Sequence, residues 1–432
     1  MILAVLFLIA GAAAAQPERG YVVRVDGGAV WLDLTAADGA APGRRFEIYA
    51  EGTPLTHPVT GADLGRASRE VAEGEVRDVA DKFSMGAIVS RTGEVSAGQR
   101  ARLTATQRPG EVEVRAPKTR GASLDYAVNA MAVGDFDGAG SPQIALASEN
   151  AIRLYSYPAI DGKALAEAVV PGAGLRILGL EASGLEGGGR DALLVCVYDQ
   201  AFARLETRVY KLEDGRWRKT AELPFLTRGY QNPKGERVLA AQQILEDKSF
   251  PFGAIYPLVY EDGRYAQGRP ALGLPGVDDR LFGFTTASFG AGKTAVISLS
   301  AVHALAIRIG KESLRSADDD YGQTPVRVRW QDRQLEFNAP MAAVYGDRGF
   351  DSLVAARNLA ALGGLGGPFG LFGRGELVAE RWNGLALETA WKADLPGVAQ
   401  GLAAVAPAPG RTEIAAAIRG ADGRSSVWTF AP

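Results

Sequence analysis

Two aspartates one residue apart, Asp135 and Asp137, are the residues whose type and spacing most directly suggest chemistry. They lie in VGDFDGAGSPQIALAS, where a Gly-rich turn leads into an apolar strand. Carboxylate oxygens at alternating loop positions suit calcium, a hard cation that takes about six to eight oxygen ligands. The stretch therefore raises a calcium loop as a hypothesis, with Asp135 and Asp137 as its metal ligands.

The chain offers few other groups for catalysis. The cluster Asp318, Asp319 and Asp320 in ADDDYGQTP and the carboxylate of Glu181 are candidates for acid-base work on a polysaccharide. Consecutive aspartates in a loop are, however, typical of a solvated surface. We therefore expect a non-catalytic protein without a cofactor, and keep a polysaccharide-acting enzyme as the alternative.

The histidines and the cysteine are expected to be structural. His57 and His303 are far apart in sequence and have no metal-ligand spacing, so neither a metal site nor Ser-His chemistry is indicated. The single Cys196 lies inside the apolar run DALLVCVYDQ, which is typical of a buried strand. One cysteine permits neither a disulfide within the chain nor a Cys-rich zinc site.

Composition indicates a soluble, strand-rich protein. Hydrophobic residues make up 47% and charged residues 22% of the 432 residues. The 54 glycines exceed the average usage of roughly 7%, which predicts many tight turns between short strands. A formal net charge of -3, with basic and acidic residues interspersed, argues against a nucleic-acid partner.

The N-terminus predicts export. MILAVLFLIAGAAAA has an apolar run followed by small residues, and Ala13-x-Ala15 matches the cleavage pattern of a secretory signal. The run is shorter than the roughly 20 residues needed to span a bilayer. We expect cleavage near Ala15, a periplasmic or secreted mature chain, and no transmembrane span in it.

Residues 20–104 form the first predicted domain, a small β-barrel. GYVVRVDGGAVWLDL alternates apolar and polar residues around an Asp26-Gly27 turn, which favours a hairpin. VWLDLTAADGAAPGRRFEIY, HPVTGADLG and VSAGQRARL resemble the C-terminal β-barrel domain of flagellar assembly protein T and similar periplasmic proteins. The resemblance implies a location in the cell envelope but no flagellar role.

Residues 123–432 are predicted to be a β-propeller of six, alternatively seven, blades. Apolar strands after turns begin near Ile144, Leu193, Ile255, Val296, Leu353 and Ile414, a ragged propeller-like period. Two-residue hairpins are predicted at Asp161-Gly162, Asp214-Gly215, Asp262-Gly263 and Asn383-Gly384. A seventh blade would lie in the long fifth repeat. The fold class is therefore all-β.

The two ends of the repeat array are expected to complete each other. The last repeat stops after its third strand, and residues 105–122 form a linker or closing strand before the first repeat. We predict that EVEVRAP in this linker supplies the missing outer strand, because a propeller must close to bury its faces.

VGDFDGAGSPQIALAS resembles the FG-GAP or VCBS repeat of integrin-type propellers. In that family a loop of the form D-x-D-x-D-G-x-x-D can hold calcium between two strands. Asp135 and Asp137 match, whereas Ala139 and Gln143 replace later carboxylates, so the resemblance implies a degenerate loop in which calcium is possible.

The Gly-rich stretch ALGGLGGPFGLFGRGEL carries the candidate partner-binding residues Leu365, Phe369, Leu371 and Phe372. They form either an apolar lip for a partner or a long hairpin folded onto the propeller. The best-supported expectation is a binding or scaffolding platform for a protein or glycan of the bacterial cell envelope. A polysaccharide enzyme and a calcium-dependent adhesion module are the alternatives.

Overall fold

The computed structural model describes residues 20–40, 42, 44–56, 63–103, 112–158, 161–274, 277, 281–289, 294–299, 303–315, 321, 324–337, 340–346, 349–361, 370–383, 386–408 and 411–432. The chain divides into two compact units, Met1–Glu111 and Val112–Pro432. Regular structure in the described residues is almost entirely strand. None of these residues forms a helix long and apolar enough to cross a bilayer.

The N-terminal unit is one antiparallel sheet in the order β1-β2-β5-β4-β3-β6. The strands are β1 (Val22–Asp26), β2 (Ala29–Leu32), β3 (Arg45–Thr56), β4 (Asp63–Val79), β5 (Ser84–Arg91) and β6 (Arg100–Leu103). Asp26 pairs with Ala29, so the predicted first hairpin is present, but its central residues are Gly27 and Gly28 rather than Asp26 and Gly27.

The two outer strands of this sheet are joined by backbone hydrogen bonds. Tyr21 and Arg100 form an antiparallel bridge, and Val22 donates to the carbonyl of Gln99. Inside, the fully buried ring of Phe46 lies against Gly74 and Gly86. A Cβ at either glycine would lie 2.2 Å from a Phe46 ring carbon, so both positions require glycine for this packing.

The C-terminal unit contains, in the residues described, a succession of antiparallel sheets that we call sheets I to VI. Sheet I has β9 (Ala130–Gly134), β10 (Gln143–Ala147), β11 (Ala151–Ser156) and β12 (Ala166–Val169). Sheet II has β13 (Leu175–Ser183), β14 (Ala192–Asp199), β15 (Arg204–Glu213) and β16 (Arg216–Leu223). Sheet III has β17 (Phe225–Gln231), β18 (Arg237–Ile244), β19 (Phe252–Glu261) and β20 (Arg264–Gln267).

The remaining sheets follow in chain order. Sheet IV has β21 (Phe284–Ser288), β22 (Thr294–Leu299), β23 (Leu305–Ile309) and β24 (Glu312–Arg315). A separate hairpin consists of β25 (Arg327–Trp330) and β26 (Arg333–Glu336). Sheet V has β27 (Met341–Gly346), β28 (Gly349–Ala360), β29 (Phe372–Trp382) and β30 (Leu387–Leu395); sheet VI has β31 (Val398–Ala408), β32 (Arg411–Arg419) and β33 (Ser425–Phe430).

The first strands of the six sheets contact one another in a closed cycle. Strand β9 contacts β13, β13 contacts β17, β17 contacts β21, β21 contacts β27, β27 contacts β31, and β31 returns to β9. At the closing contact a Cβ on Gly401 would lie 2.4 Å from Met131 Cβ, so the two strands approach too closely for a larger residue. The C-terminal unit is therefore all-β and propeller-like.

Residues from the start of this unit complete sheets V and VI. Strand β7 (Glu113–Val114) pairs with β30 in parallel, and β8 (Thr119–Arg120) pairs with β33 antiparallel. The prediction that EVEVRAP completes the last sheet is therefore wrong: β7 in this stretch joins sheet V, and sheet VI is completed by β8, which follows it in the chain. Arg115 stacks over Trp391 of sheet V, which holds this part of the chain one sheet earlier than predicted.

Strand starts and turns were predicted with mixed success. Ile144, Leu193, Val296, Leu353 and Ile414 lie in the second strands of their sheets, but Ile255 lies in the third strand of sheet III. The second strand there is β18, RVLAAQQI, whose apolar run is interrupted by two glutamines before Ile244. Its Gln242 is nevertheless buried, because it bonds the backbone of Gly253 and Leu281.

The two-residue hairpins are confirmed at Asp214-Gly215 and Asp262-Gly263. All four residues have positive φ, as this turn requires. The turn at Asp161-Gly162 is instead part of a longer loop between Ser156 and Ala166. A two-residue hairpin at Asn383-Gly384 does not fit the pairing of Trp382 with Leu387, and Gly384 itself lies outside the described residues.

The hairpin β25–β26 packs on the ends of sheets II to IV. Trp330 and Phe337 are buried in one cluster with Leu178, Cys196, Leu226 and Phe284. The Trp330 indole N–H donates to the carbonyl of Lys248 at 3.0 Å. In the fifth repeat, from Leu353 to Ile414, the described strands belong to sheets V and VI, whereas the hairpin β25–β26 lies in the repeat before it as a separate two-stranded sheet.

Candidate functional site

A cavity lies on the axis of the C-terminal unit, where the first strands meet. Its wall includes segments of β9, β13, β17, β27 and β31. The first strand of each sheet has only one sheet neighbour, so its other edge offers N–H and C=O groups to the cavity. The cavity has a volume of about 80 Å³. It is a small polar chamber built largely from backbone.

Three charged side chains line this axial cavity: Glu181, Arg228 and Arg237. Glu181 on β13 forms an ion pair with Arg237 at the start of β18. The Glu181 carboxylate also accepts the N–H groups of Ala182 and Gly229. A Cβ at Gly229 would lie 2.8 Å from both Arg237 Nε and Glu181 Oε2, so glycine allows β17 to approach this pair.

The two side chains of this ion pair differ in their exposure to solvent. The Glu181 side chain is 8% exposed, whereas the Arg237 side chain is 42% exposed. Arg237 also lines a second depression, so its guanidinium bridges two cavities. We call the end of the axial cavity near Glu181 and Arg237 the open end.

Arg228 lies deeper on β17. Its Nη1 donates to the carbonyls of Leu281 at 3.0 Å and Phe284 at 3.3 Å, and its guanidinium lies 6.0 Å from the Phe284 ring centre. Burial lowers the pKa of Arg228 to about 10, so the group remains charged at neutral pH. Within the described part of the chain, no carboxylate lies within ion-pair distance of Arg228.

An aromatic side chain also lines the cavity. Phe282 lines the cavity and packs edge-on against Phe337 of the hairpin cover, with ring centres 5.6 Å apart. A Cβ at Gly179 would lie 2.9 Å from Phe282 Cε1, so glycine makes room for the ring.

An apolar cleft adjoins the open end. It lies between sheets II and III and has a volume of about 400 Å³. It shares Val133 and Arg237 with the axial cavity. Its other walls are Ala182, Gly184, Leu185, Asp191, Val238, Leu239, Pro257 and Leu258. Leu185 is 40% exposed at this cleft, which makes it an apolar contact point for a ligand.

Asp191 is the acidic group of the cleft. Its Oδ2 accepts the N–H of Asp135 at 2.8 Å, and its own N–H donates to the carbonyl of Asp135, so the loops of sheets I and II are tied together. Burial, with a smaller contribution from the charge of Asp135, raises the pKa of Asp191 above its usual range. The sequence analysis assigned it no role.

The residues predicted to bind calcium cap their own turn. Asp135 Oδ2 accepts the N–H of Gly140, and Asp137 Oδ1 accepts the N–H of Ala139, each at 2.9 Å. Such bonds are those of an aspartate that stabilises a turn. Among the residues described, no group of three or more His, Cys, Asp or Glu side chains is arranged to hold a metal ion.

The candidate lip is only partly described. Leu365 and Phe369 lie outside the described residues; Leu371 is 53% exposed and Phe372 is half-buried. The guanidinium of Arg327, at the start of the hairpin cover, lies 5.7 Å from the Phe372 ring centre. The described part of the lip therefore continues the surface of the hairpin cover rather than that of the open end.

Of the other residues singled out from the sequence, some lie outside the described residues and some are placed by the structure. Asp318, Asp319, Asp320 and His57 lie outside the described residues, and His303 Nε2 lies 4.0 Å from Glu336 Oε2. Cys196 is buried, with its thiol bonded to Thr207 and Thr227. Glu181 is the sequence-nominated carboxylate that the structure places in the axial cavity.

Sequence reasoning missed Arg228 and Arg237. In FLTRGYQNPKGER both are spaced like the solvent-facing charges of an ordinary hairpin, so no local pattern distinguishes them. Both lie on the paired strands β17 and β18 of sheet III, and their place beside Glu181 depends on the packing of sheet II against sheet III.

Comparison with known proteins gives no family assignment. No protein-family model matches the chain. An uncharacterized protein of Aquifex aeolicus (strain VF5) is 35% identical over 86 residues, 20% of this chain and 17% of that protein. The chain thus spans less than a fifth of the length of this relative.

Three solved structures show a distant resemblance in fold. BBS1N in complex with ARL6DN, soaked with lead, has a TM-score of 0.40 and 12% identity, covering 72% of this chain and 94% of that one. AofleA from Arthrobotrys oligospora has a TM-score of 0.35 and 10% identity, with coverages of 69% and 81%. The Dos1 propeller has a TM-score of 0.35 and 8% identity, with coverages of 72% and 94%. The propeller-like description of the C-terminal unit rests on its own sheet order and closed cycle of contacts.

Proposed function

We propose that this chain is a non-catalytic binding or scaffolding protein of the bacterial cell envelope, periplasmic or secreted. Its C-terminal unit is a six-bladed propeller of degenerate FG-GAP or VCBS type, and its N-terminal unit is a small barrel of the kind found in flagellar assembly protein T. The joined edges of the N-terminal sheet and the cycle of first strands support this description. The ligand binds at the open end of the axial cavity.

One observation carries the proposal: the axial cavity and the apolar cleft meet at the partly exposed guanidinium of Arg237. Concave sites that combine apolar walls with a few fixed polar groups are the usual ligand sites of proteins. The Glu181 carboxylate holds this guanidinium in place before any ligand arrives, which lowers the entropic cost of binding.

Export is the part of the proposal that rests on sequence alone. The apolar run and the small residues at Ala13 and Ala15 support a cleaved signal. Expression of the full chain with a C-terminal tag, followed by fractionation and N-terminal sequencing, should give an envelope or secreted protein that begins at Gln16. An uncleaved chain in the cytoplasmic fraction would refute the location.

Site-specific photocrosslinking tests the binding function. We propose three separate variants that place p-benzoylphenylalanine at Leu185, at Leu371 or at Phe202. Leu185 lies at the cleft, Leu371 at the candidate lip, and Phe202, which is 76% exposed in the turn between β14 and β15, serves as the matched exposed control. Irradiation in envelope extracts should give a discrete adduct from Leu185 and none from Phe202.

The pattern of adducts discriminates between the surfaces. An adduct from Leu371 alone would assign binding to the apolar lip instead of the open end. Equal, diffuse labelling from all three positions would contradict a binding platform, because exposed apolar side chains also make non-specific contacts.

A polysaccharide-acting enzyme is the second candidate, because Asp191 has the properties of a general acid. It is a half-buried carboxyl group in a cleft, and its pKa is raised by burial and by Asp135. Incubation with envelope polysaccharides and analysis of the products tests this candidate. Cleavage that is lost in Asp191→Asn and kept in Asp137→Asn would favour the enzyme over the scaffold.

A further inference from the structure

The axial cavity carries more positive than negative charge. Two guanidinium groups, from Arg228 and Arg237, and one carboxylate, from Glu181, line it. Arg237 is neutralised by Glu181, which leaves the charge of Arg228 without a counter-ion within the described residues. A buried charge is costly unless it is paired, so this cavity is set up to stabilise an anion.

Glu181 is not available to neutralise Arg228. Its two oxygens already accept the N–H groups of Ala182 and Gly229 and the guanidinium of Arg237. The hydrogen bonds of Arg228 to Leu281 and Phe284 both use Nη1. A guanidinium has five N–H donors, so those on Nη2 and Nε have no hydrogen-bond partner among the described residues and remain for a ligand.

We propose that the axial cavity binds a single carboxylate group through Arg228 and Arg237, and that the adjoining cleft takes an apolar group of the same ligand. The ligand class is thus an apolar carboxylate, such as the last residue of a peptide chain that ends in a leucine-like side chain. This inference rests on the proposed binding function and assigns its ligand chemistry.

Charge favours a carboxylate over a phosphate monoester. One excess positive charge is matched by one carboxylate, whereas a phosphate monoester carries about -1.5 to -2 at neutral pH and would add repulsion beside Glu181.

The cleft supplies the apolar half of the site. Leu185, Val238, Leu239, Pro257 and Leu258 form most of its wall. Asp191 in the same wall would repel an anion, so the carboxylate lies on the cavity side of the Arg237 guanidinium and the apolar group on the cleft side. The charged and apolar parts of the ligand are thereby placed in adjoining spaces.

Isothermal titration of the mature full-length chain with N-acetyl-leucine tests the assignment. N-acetyl-leucinamide is the matched neutral probe, and inorganic phosphate is the competing anion. Loss of a hydrogen bond to a charged group costs about 1.5–3 kcal/mol, which corresponds to a roughly 10- to 150-fold weaker affinity. We expect N-acetyl-leucine to bind, the amide to bind at least about tenfold more weakly, and phosphate to bind less well than N-acetyl-leucine.

Three variants separate a ligand-binding role of Arg228 from a structural one. Arg228→Met should weaken N-acetyl-leucine binding at least about tenfold, and Arg228→Lys should recover part of it, because the charge returns without the planar fork. Arg218→Met is the control, since Arg218 is 64% exposed on β16 and lines neither cavity. Thermal unfolding of each variant establishes that it is folded before titration.

The proposal is overturned by equal affinity for acid and amide, by tighter binding of phosphate, or by a folded Arg228→Met chain that binds like the wild type. Absence of N-acetyl-leucine binding to the wild-type chain also overturns it. Crosslinking from Leu185 is read separately: an adduct there without N-acetyl-leucine binding leaves the scaffold function standing and removes only the carboxylate ligand.

Discussion

Glu413 fastens the start of the C-terminal unit to its last sheet, and its replacement gives a measurable prediction. The side chain is 5% exposed and accepts Lys118 Nζ, Tyr157 OH at 2.8 Å and Arg411 Nη2 at 3.0 Å. Lys118 lies next to β8, which completes sheet VI. The variant Glu413→Gln keeps the shape of the side chain and removes its charge.

The expected loss is about 2 kcal/mol. Exchange of the charged acceptor for a neutral one costs the buried Tyr157 bond about 1 kcal/mol. The pairs with Lys118 and Arg411 contribute about 0.2–1 kcal/mol each, because those side chains are 40% and 57% exposed. At about 2.1 cal/mol/K per residue of unfolding entropy, a unit of about 320 residues should lose about 3 °C in Tm.

The loss of stability caused by Glu413→Gln should become smaller as the pH falls. Burial alone would raise the pKa of Glu413, but the hydrogen bonds from Lys118 and Tyr157 and the charges of Lys118 and Arg411 outweigh it and lower the pKa below 4.5. A depressed pKa stabilises the fold above the unfolded value, and this contribution disappears as the pH falls through the folded pKa. The difference between wild type and Glu413→Gln should therefore be constant above about pH 5 and narrow below it.

Differential scanning calorimetry at stepwise lower pH measures both effects. Glu167→Gln is the matched control, because Glu167 is 48% exposed and pairs with Arg153 on the surface of sheet I. Its effect should stay within about 0.5 kcal/mol. The reasoning fails if Glu413→Gln matches Glu167→Gln at neutral pH, or if the gap to wild type widens as the pH falls.

Three further outcomes are expected. Gly74→Ala should destabilise the N-terminal unit by about 1–3 kcal/mol in urea unfolding, because its Cβ would overlap the Phe46 ring; Gly28→Ala, with open space around it, is the control, and equal effects would refute the packing argument. Trp330→Ala should cost the C-terminal unit about 3–5 kcal/mol, since the indole is 3% exposed; a loss below about 1 kcal/mol would mean that the hairpin cover contributes little. Calorimetric titration with calcium chloride should give no saturable heat, because the described residues bring no group of three or more His, Cys, Asp or Glu side chains together around the Asp135 loop; a saturable heat abolished by Asp135→Asn would establish the calcium loop.

Local patterns predicted the features of this fold that depend on neighbours in sequence. Asp214-Gly215 and Asp262-Gly263 were found because a two-residue hairpin needs positive φ at both positions. Strand β18 was missed because two glutamines interrupt its apolar run, and the burial of Gln242 depends on the backbone of Gly253 and Leu281, which sequence spacing does not reveal.

The candidate site was largely beyond sequence reasoning. Glu181 was nominated only as a carboxylate, and its partner Arg237 lies on a different sheet. Arg228 looks like one charged residue in an alternating strand, yet ring closure places it in a cavity. Glu413 is in sequence one acidic residue before an apolar strand, and its ion pair forms because the fold brings Lys118 to it across almost the whole unit.

The pairing of Arg120 with Trp428 also determines when the last sheet can be completed during synthesis. The ribosome makes β8 before any of the six sheets and makes its partner β33 last, so the ring has no complete final sheet until the C-terminus has emerged. A contact between such distant residues forms slowly and leaves the edges of sheets I and VI uncovered meanwhile. Chains that stop before Ser425 should therefore remain sensitive to protease, and an exported chain must be kept from aggregating until its last strand arrives.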